Sequence, residues 1–405
     1  MKDLKHLIYF ESLLQDAHND LVRQAQDEGD VCVGYTCYHM PEVLLNLDRA
    51  FSVRLRAPRT GSMDIATYYM SNALCEYARA LLERALEGGY KFLDCMAGVD
   101  VCECMNRSME NMELNGAADE NKKGFFWCNL DSPCHDNEDA VDHVVEQVTR
   151  KVLNPLHENY GIDISEDAIL KAVEEHNEVC RLITEIGDYR KDLNPRITGY
   201  EFHIITLCSY VCPKRLILPY LRETAEELKT REPDPKPRFR TRVVVVGSEI
   251  DDPDLIQLIE DSGAMVVADR FCYGSIPGRQ EIVLDTSEGH ESYVRQVVRD
   301  TLHTTLCVRH VEQKKVQYRL DTAKRLYDEY HADGIIYEQM KFCTYWSYER
   351  ALASYVMQDE YGVPTLSIDR PYMSRTSGQL RTRIQAFVER LEIKKIKAKK
   401  EQKNV

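Results

Sequence analysis

The strongest constraint on the fold is a run of four consecutive valines, residues 243–246, within the stretch Thr-Arg-Val-Val-Val-Val-Gly-Ser. A strand that is apolar at every position, rather than at alternate positions, is buried on both of its faces. Such strands occur in parallel sheets that are covered by helices on both sides. Ligands of these sheets bind beyond the carboxyl ends of the strands. The run therefore predicts an open α/β sheet in the second half of the chain.

Several shorter apolar runs fit the same architecture. Residues 334–337 and 365–368 predict two further strands after the valine run, and residues 31–35 and 51–55 predict two strands in the first half. Helical patterns separate these runs, as expected for strand–helix–strand units. The predicted fold class is α/β, with two Rossmann- or flavodoxin-like parallel-sheet domains and a helical layer between them.

The clearest boundary in the chain is the charged, proline-rich stretch at residues 231–237. We predict four parts from the patterns on either side of it: residues 1–150 as an N-terminal α/β domain with a leading helix, 151–230 as a helical segment, 239–395 as a C-terminal α/β domain, and 396–405 as a basic tail. The leading helix is predicted to run unbroken from residue 3 to residue 28. A second long helix is predicted over residues 68–86.

Composition excludes some classes of partner. The formal net charge is −15 over 405 residues, whereas a protein that binds nucleic acid needs a basic surface. No apolar run approaches the roughly 20 residues that cross a membrane, and the first residues lack the pattern of a signal peptide. We expect a cytoplasmic protein with neither nucleic acid nor membrane as a partner.

The chain contains fourteen cysteines. In the reducing cytoplasm they are not expected to form a disulfide framework. The sequence has no C-x-x-C pair and no Cys/His spacing typical of zinc sites. Any metal cluster must therefore use cysteines that are far apart in the sequence, and the alternative for each one is a buried core thiol.

Three of these cysteines lie in longer motifs. Cys343 ends the stretch Met-Lys-Phe-Cys, and the segment Gly-Gln-Leu-Arg-Thr-Arg-Ile-Gln-Ala-Phe follows at residues 378–387. Cys75 lies in a helical segment before Tyr-Lys-Phe-Leu-Asp at residues 90–94, and Cys102 follows soon after. From about residue 30 to residue 391 the chain resembles the 2-hydroxyacyl-CoA dehydratase family, which includes benzoyl-CoA reductase subunits. The likeness is to subunits of the 2-hydroxyglutaryl-CoA dehydratase D-component type.

The resemblance implies a cofactor. Cys75, Cys102 and Cys343 would bind a [4Fe–4S] cluster in the cleft between the two domains. Clusters used only for electron transfer normally have four thiolates. With three, one iron keeps an open position and can act as a Lewis acid.

The resemblance also implies a reaction and partners. The family removes water from an (R)-2-hydroxyacyl-CoA to give a 2-enoyl-CoA through a ketyl radical. The expected partners are the acyl-CoA substrate, a paralogous second subunit or a second copy of the chain, and an ATP-hydrolysing iron–sulfur activator protein. The resemblance assigns no proton-transfer residue. His39 is a candidate, and a polar surface or helix-capping role is the alternative.

Two departures from the family pattern leave alternatives open. Glu103 replaces an aspartate, and Cys104 competes with Cys102 as the ligand. Thr344 stands where the family often has aspartate. One alternative is a low-potential reductase of the same superfamily, of the benzoyl-CoA reductase or double-cubane type, with further cysteines such as Cys272 and Cys307. The other alternative is a non-catalytic partner subunit, in which Cys343 would be dispensable.

Overall fold

The structure is a computed structural model that describes residues 1–58, 60–119, 121–372 and 378–403. Within them the chain forms two four-stranded sheets in which every pair of neighbouring strands is parallel. The first sheet has the order β2-β1-β3-β4 and the second the order β6-β5-β7-β8. The strands are β1 Val31–Tyr35, β2 Ala50–Arg54, β3 Cys95–Asp100, β4 Phe126–Asp131, β5 Thr241–Gly247, β6 Ala264–Phe271, β7 Gly334–Met340 and β8 Thr365–Arg370.

Helices cover the sheets and fill the space between them. In the described residues they are α1 Leu7–Leu13, α2 Asp20–Asp27, α3 Asp64–Tyr69, α4 Glu76–Leu86, α5 Glu103–Leu114, α6 Glu138–Val148, α7 Asn154–Tyr160, α8 Glu166–Asp188, α9 Gly199–Val211, α10 Lys214–Thr230, α11 Asp254–Asp261, α12 Ser275–Gly278, α13 Tyr293–Thr304, α14 Gln313–Glu329, α15 Thr344–Asp359 and α16 Gly378–Lys403. None of the helices in these ranges combines the length and the apolar character needed to cross a bilayer.

The valine run lies where its composition requires. Val243 to Val246 form the centre of β5, are fully buried, and lie between β6 and β7. Val243 and Val245 pack into one apolar cluster, while Val244 and Val246 pack into another on the opposite face. Both faces of the strand are thus covered. The prediction of an α/β fold with two parallel sheets is confirmed.

Two predicted helices are wrong in detail. The leading segment forms two helices rather than one, because the chain breaks after α1 and restarts at Asn19, whose side chain accepts hydrogen bonds from the first amides of α2. The helix predicted over residues 68–86 is also divided, into α3 and α4. Cys75 is the residue that precedes α4, so it caps a helix rather than lying within one.

Other details were not predicted. The edge strand β4 begins soon after Gly124, whose backbone is left-handed with φ of +86°. The strand was not predicted, because its sequence mixes polar and apolar residues. Helix α13 packs against α6, although about 150 residues separate them. Helix α16 continues through the basic segment to Lys403. The domain boundaries themselves stay predictions.

Candidate functional site

The carboxyl ends of five strands meet at one cavity of about 710 Å³, part of which is open to solvent. β1, β3, β5, β6 and β7 each contribute residues from the turn that follows the strand. In open parallel sheets this edge is where ligands bind. Six cysteines line the space, which we call the cysteine cavity: Cys37, Cys75, Cys102, Cys272, Cys307 and Cys343.

The three cysteines predicted as ligands all line this cavity and share one local geometry. Cys75, Cys102 and Cys343 are the N-cap residues of α4, α5 and α15, respectively. The first amides of a helix have no partner within the helix and carry the positive end of its dipole. Three helix N-termini therefore converge on one space, an arrangement that favours an anionic group.

The geometry distinguishes Cys102 from Cys104, although the choice of ligand stays a prediction. The sulfur of Cys102 accepts a hydrogen bond from the amide of Met105 at 3.4 Å. Cys104 lies within the first turn of α5, where its backbone is helical. Among the described residues that line the cysteine cavity, Cys102 is present and Cys104 is not. The position of Cys102 fits the prediction of this residue as the ligand.

Cys343 is presented by a tight turn between β7 and α15. The preceding residue, Phe342, adopts a left-handed backbone with φ of +66°, which is uncommon for a bulky residue. The amide of Cys343 donates a hydrogen bond to the carbonyl of Met340 at 2.9 Å, and the Cys343 carbonyl accepts one from Gln339. The turn thus stores backbone strain to hold the thiol at the cavity.

The remaining three cysteines form a second part of the cavity wall. Cys37 follows β1, Cys272 follows β6, and Cys307 lies in the loop between α13 and α14. Cys272, for which the sequence left open a place at the site or a buried core position, lines the cavity and is only 9% exposed. Sequence reasoning missed Cys37. The signal for it was its place two residues beyond a predicted strand, the same kind of place that singled out Cys343.

The thiols are protonated when nothing is bound to them. Burial raises the pKa of Cys75 to about 12 and raises the pKa of Cys102 and of Cys343 well above the usual value. Backbone amides at the helix N-termini oppose this shift at all three sulfurs. Because thiolate, not thiol, binds metal, loading the site would release protons.

The donor set decides which metal group fits. Within the described ranges, no three His, Cys, Asp or Glu side chains lie close enough together to hold a single metal ion. An iron–sulfur cubane needs its thiolates further apart than a single metal ion does, because each thiolate binds a different iron. Thiols that face a shared space, with amide donors behind them, fit a cluster and do not fit a mononuclear zinc site.

One carboxylate, Glu249, belongs to the described lining of the cysteine cavity. Arg54 donates two hydrogen bonds to it, at 3.1 Å to each oxygen, and a third to the carbonyl of Cys272 at 2.7 Å. Burial outweighs the effect of Arg54 and raises the pKa of Glu249 to about 7. This carboxyl can therefore hold or release a proton near neutral pH. Sequence reasoning missed it.

A second cavity of about 740 Å³ shares Tyr38 with the first. We call it the histidine cavity, because its polar side is a cluster around His176: the carboxylate of Glu42 contacts Lys214 and lies 3.8 Å from His176 Nδ1, and His176 Nε2 lies 3.3 Å from Cys180. Burial opposes charge on His176, but Cys180 and Glu42 outweigh it and raise its pKa to about 10. Lys214 and then His176 hold the pKa of Glu42 well below its usual range, despite burial.

The expectation for His39 as a polar surface or cap residue is wrong. His39 is buried, and its two ring nitrogens lie 3.2 Å from the hydroxyls of Ser132 and Thr305. Its ring stacks on that of His310, with 5.5 Å between the ring centres. His39 lies outside the described lining of both cavities, whereas the preceding residue, Tyr38, lines both.

Comparison with known proteins identifies the family of the chain. Residues 37–391 match the family 2-hydroxyglutaryl-CoA dehydratase, D-component. The chain is 23% identical over 382 residues to the (R)-phenyllactyl-CoA dehydratase beta subunit of Clostridium sporogenes, covering 94% of this chain and 97% of that one. It is 23% identical over 377 residues to the (R)-2-hydroxyglutaryl-CoA dehydratase, subunit beta, of Acidaminococcus fermentans, covering 90% and 93%.

A third relative gives the same result. The chain is 20% identical over 370 residues to the lactoyl-CoA dehydratase subunit beta of Anaerotignum propionicum, covering 90% of this chain and 93% of the relative. The family match includes all six cysteines that line the cysteine cavity. The resemblance predicted from the cysteine motifs is confirmed: the chain belongs to the 2-hydroxyglutaryl-CoA dehydratase, D-component, family.

Proposed function

We propose that this chain is the iron–sulfur subunit of an ATP-activated (R)-2-hydroxyacyl-CoA dehydratase, which eliminates water through a ketyl radical to give a 2-enoyl-CoA. One observation carries the proposal. Cys75, Cys102 and Cys343, each at a helix N-terminus, line a single cavity at the carboxyl ends of both sheets. The named relatives are subunits of dehydratases for three different 2-hydroxyacyl-CoA compounds, which supports the reaction class and leaves the acyl group open.

The protein's own contribution begins with holding the cofactor. The sulfurs of Cys75, Cys102 and Cys343 would bind a [4Fe–4S] cluster as thiolates, and the helix N-termini behind them would offset its negative charge. When bound, such a cluster supplies one-electron chemistry at a potential set by its surroundings, and three thiolates leave one iron open. The apolar part of the cavity wall, including Val101, Val308 and Trp346, would limit the access of water.

Proton transfer and substrate binding fall to other residues. Glu249 has a pKa near 7 and lines the cysteine cavity, so it could carry a proton to or from a bound group. Tyr38 stands between the two cavities. The histidine cavity has apolar walls that include Val43 and Ile282, which suit an acyl chain.

The proposal includes three partners. They are the acyl-CoA substrate, a second subunit that is either a paralogue or another copy of this chain, and an ATP-hydrolysing iron–sulfur activator. The word subunit in the names of the relatives supports the second. Electron supply by the activator follows from the proposed reaction, because the elimination needs one electron to start and returns it afterwards.

The test is anaerobic purification of the chain together with its neighbouring gene products, followed by iron and sulfide analysis, EPR, and turnover of a panel of 2-hydroxyacyl-CoA thioesters. We expect about four irons per chain and elimination with at least one thioester. Cys343→Ser should lose both, while the matched variant Cys134→Ser, at an exposed thiol, should keep them. An iron-free protein under strict anaerobiosis would overturn the cofactor assignment.

One observation favours a second candidate, a double-cubane-type reductase. Cys37, Cys272 and Cys307 line the same cavity as the three predicted ligands, so six thiols are available. The same iron analysis separates the two candidates, because about eight irons on one chain would exclude a simple dehydratase subunit. In that case Cys272→Ser would lower the iron content, whereas a single cubane on Cys75, Cys102 and Cys343 predicts no change.

A further inference from the structure

A third cavity, of about 830 Å³, lies at the carboxyl end of β6 between α8, α12 and α14. It shares no residue with the described lining of the cysteine cavity. Four cationic side chains line it, Lys191, Arg270, Arg279 and Arg325, and we call it the arginine pocket. No sequence motif marks any of the four.

The charge of this pocket is opposite in sign to that of the chain. Three acids, Asp188, Asp269 and Glu329, also line it, so the cations exceed the acids by one in a protein whose formal net charge is −15. Asp269 is in addition paired with Arg190, a fully buried arginine, at 3.2 Å. A local positive charge in a concave, half-buried space attracts anions.

Arg270 is the residue that points most directly to a ligand. It is 2% exposed, and Nη2 donates a hydrogen bond to Glu349 at 3.0 Å. Its Nε and Nη1 are buried and have no hydrogen-bond partner among the described residues, so a ligand in the pocket would reach them through a shift of the side chain. A buried donor without an acceptor is costly unless water or a ligand supplies one, and the planar fork of a guanidinium matches two oxygens of a phosphate.

Arg279 and Arg325 are placed to contribute from the rim. Arg279 donates to the hydroxyl of Tyr330 at 2.8 Å and contacts Asp188, which fixes its position. Arg325 is 58% exposed at its side chain, and its nearest carboxylate, Glu329, is 3.5 Å away. A long exposed arginine can turn toward a ligand with little loss, because an exposed ion pair of this kind contributes little stability.

We propose that the arginine pocket binds a phosphate-bearing small molecule, with Arg270 as the buried contact and Arg325 as the outer one. Phosphate binding does not depend on the proposed dehydratase function. Only coenzyme A as the natural source of the phosphates rests on that function. Free pyrophosphate is the other source of the same chemistry, and the experiment below distinguishes the two.

The structure also provides a reporter for binding. The guanidinium of Arg270 lies 5.8 Å from the ring centre of Trp346, a buried residue of α15 that lines the cysteine cavity. The chain has two tryptophans, Trp127 and Trp346. A ligand that draws Arg270 toward the pocket would change the surroundings of Trp346, and its emission would report the change.

The experiment titrates the full-length Trp127→Phe chain with pyrophosphate and, separately, with coenzyme A, at constant ionic strength. Trp346 emission and isothermal calorimetry are recorded together. We expect saturable binding of at least one probe and a change in Trp346 emission. Tenfold tighter binding of coenzyme A than of pyrophosphate would identify coenzyme A as the source, and equal affinities would identify the phosphate group alone.

Variants locate the site. Arg325→Gln and Arg270→Lys should each weaken binding about tenfold, a loss typical of one charged contact. Arg240→Gln is the matched control, since Arg240 pairs with Glu392 outside the pocket, and it should bind as the parent does. If Arg270→Lys fails to fold, Arg325→Gln by itself still tests the proposal. Absence of saturable binding, or binding that Arg325→Gln and Arg270→Lys leave unchanged, would overturn the proposal.

Discussion

The two sheets have the same strand order, yet they deliver thiols to the shared cavity by different means. When the strands of each sheet are counted along the chain, both sheets read second-first-third-fourth. Cys102 and Cys343 are equivalent in this scheme, since each caps the helix that follows the third strand. After the first strand, however, one sheet presents Cys37, and the other presents Ser248 and Glu249.

The two sheets differ more in the segment that connects the second strand to the third. In the first sheet it carries Cys75 at the start of α4. In the second sheet it is longer, residues 272–333, and carries Cys272 and Cys307. A residue just beyond a strand of either parallel sheet can line the cavity, and Cys37, Cys102, Cys272 and Cys343 do so. Cys75 and Cys307 reach the same cavity from the connections between strands, at the start of α4 and in the loop between α13 and α14.

The largest expected effect tests the equivalence of Cys102 and Cys343. Cys102→Ser and Cys343→Ser should each reduce turnover and iron content by more than the roughly 10–100-fold that loss of an outer-shell contact costs, because each removes a proposed ligand. Cys104→Ser is the matched control for Cys102, two residues away, and should retain most of both. A Cys104→Ser variant as impaired as Cys102→Ser would break the equivalence.

A smaller effect tests how much a buried ion pair stabilises the second sheet. In the second sheet, Arg370 of β8 pairs with Glu338 of β7 at 2.8 Å, and both side chains are fully buried. Glu338 also accepts hydrogen bonds from the amide and hydroxyl of Ser248. Arg370→Ala should cost about 3–5 kcal/mol of unfolding free energy, because it leaves a buried carboxylate unpaired. Urea denaturation measures this loss.

The control for that variant is Arg383→Ala. Arg383 is exposed and lies 3.8 Å from Asp369, so its loss should cost under about 1 kcal/mol. Equal losses for the two variants would show that the buried pair adds nothing particular to the second sheet. The double change Arg370→Met with Glu338→Leu should recover much of the stability, since a well-packed apolar pair can replace a buried ion pair.

A buried cluster of charges around Glu42, just beyond β1, predicts a pH dependence. The pKa of His176 is raised to about 10 in the folded chain, above its value of about 6.5 when unfolded. Its charged form therefore stabilises the fold fully below pH 6.5 or so, and this contribution is lost as pH rises through about 10. Stability measured by urea unfolding should fall over this interval by up to a few kcal/mol.

His176→Gln should flatten that dependence, because glutamine does not titrate. His143→Gln is the control, since His143 is largely exposed beside Asp131. A wild-type stability that stays level from pH 6.5 to 10 would contradict the assignment of a charged His176 next to Glu42.

The smallest effect concerns the turn before Cys343. Phe342 has φ of +66°, and Cys102 follows β3 without a left-handed residue of this kind. Phe342→Gly should change the unfolding free energy by no more than about 1 kcal/mol, because glycine adopts this backbone freely. Phe342→Val should cost more, since a β-branched residue is strained there. Equal stabilities of the two variants would show that the turn relaxes.

Much of the architecture was predictable from local patterns. The valine run, the strand at Val31–Tyr35 and the helix at Asp254–Asp261 follow from apolar periodicity and its boundaries. The motif resemblance directed attention to Cys75, Cys102 and Cys343, which line one cavity; their role as ligands stays a prediction. The breaks within the two predicted helices, residues 3–28 and 68–86, were missed, because the new helix starts after Asn19 and Cys75 are local choices that periodicity does not record.

The candidate site was less predictable. Glu249, Arg54 and Cys37 are ordinary residues in the sequence, and their importance comes from the cavity that they share. The pKa values of Glu249 and His176 depend on burial and on charges far away in the chain, such as Arg54 for Glu249. No sequence window of a few residues contains such information.

The sequence by itself determined the two parallel sheets and the family, because continuous apolar runs fix buried strands and because the cysteine motifs are long. Only the tertiary structure decided which thiols share a space, which carboxyl titrates near neutrality and where a basic pocket forms in an acidic protein. The physical reason is that strand pattern is set by neighbours along the chain, whereas burial, electrostatic fields and cavities are set by neighbours in space, many of them more than 100 residues apart.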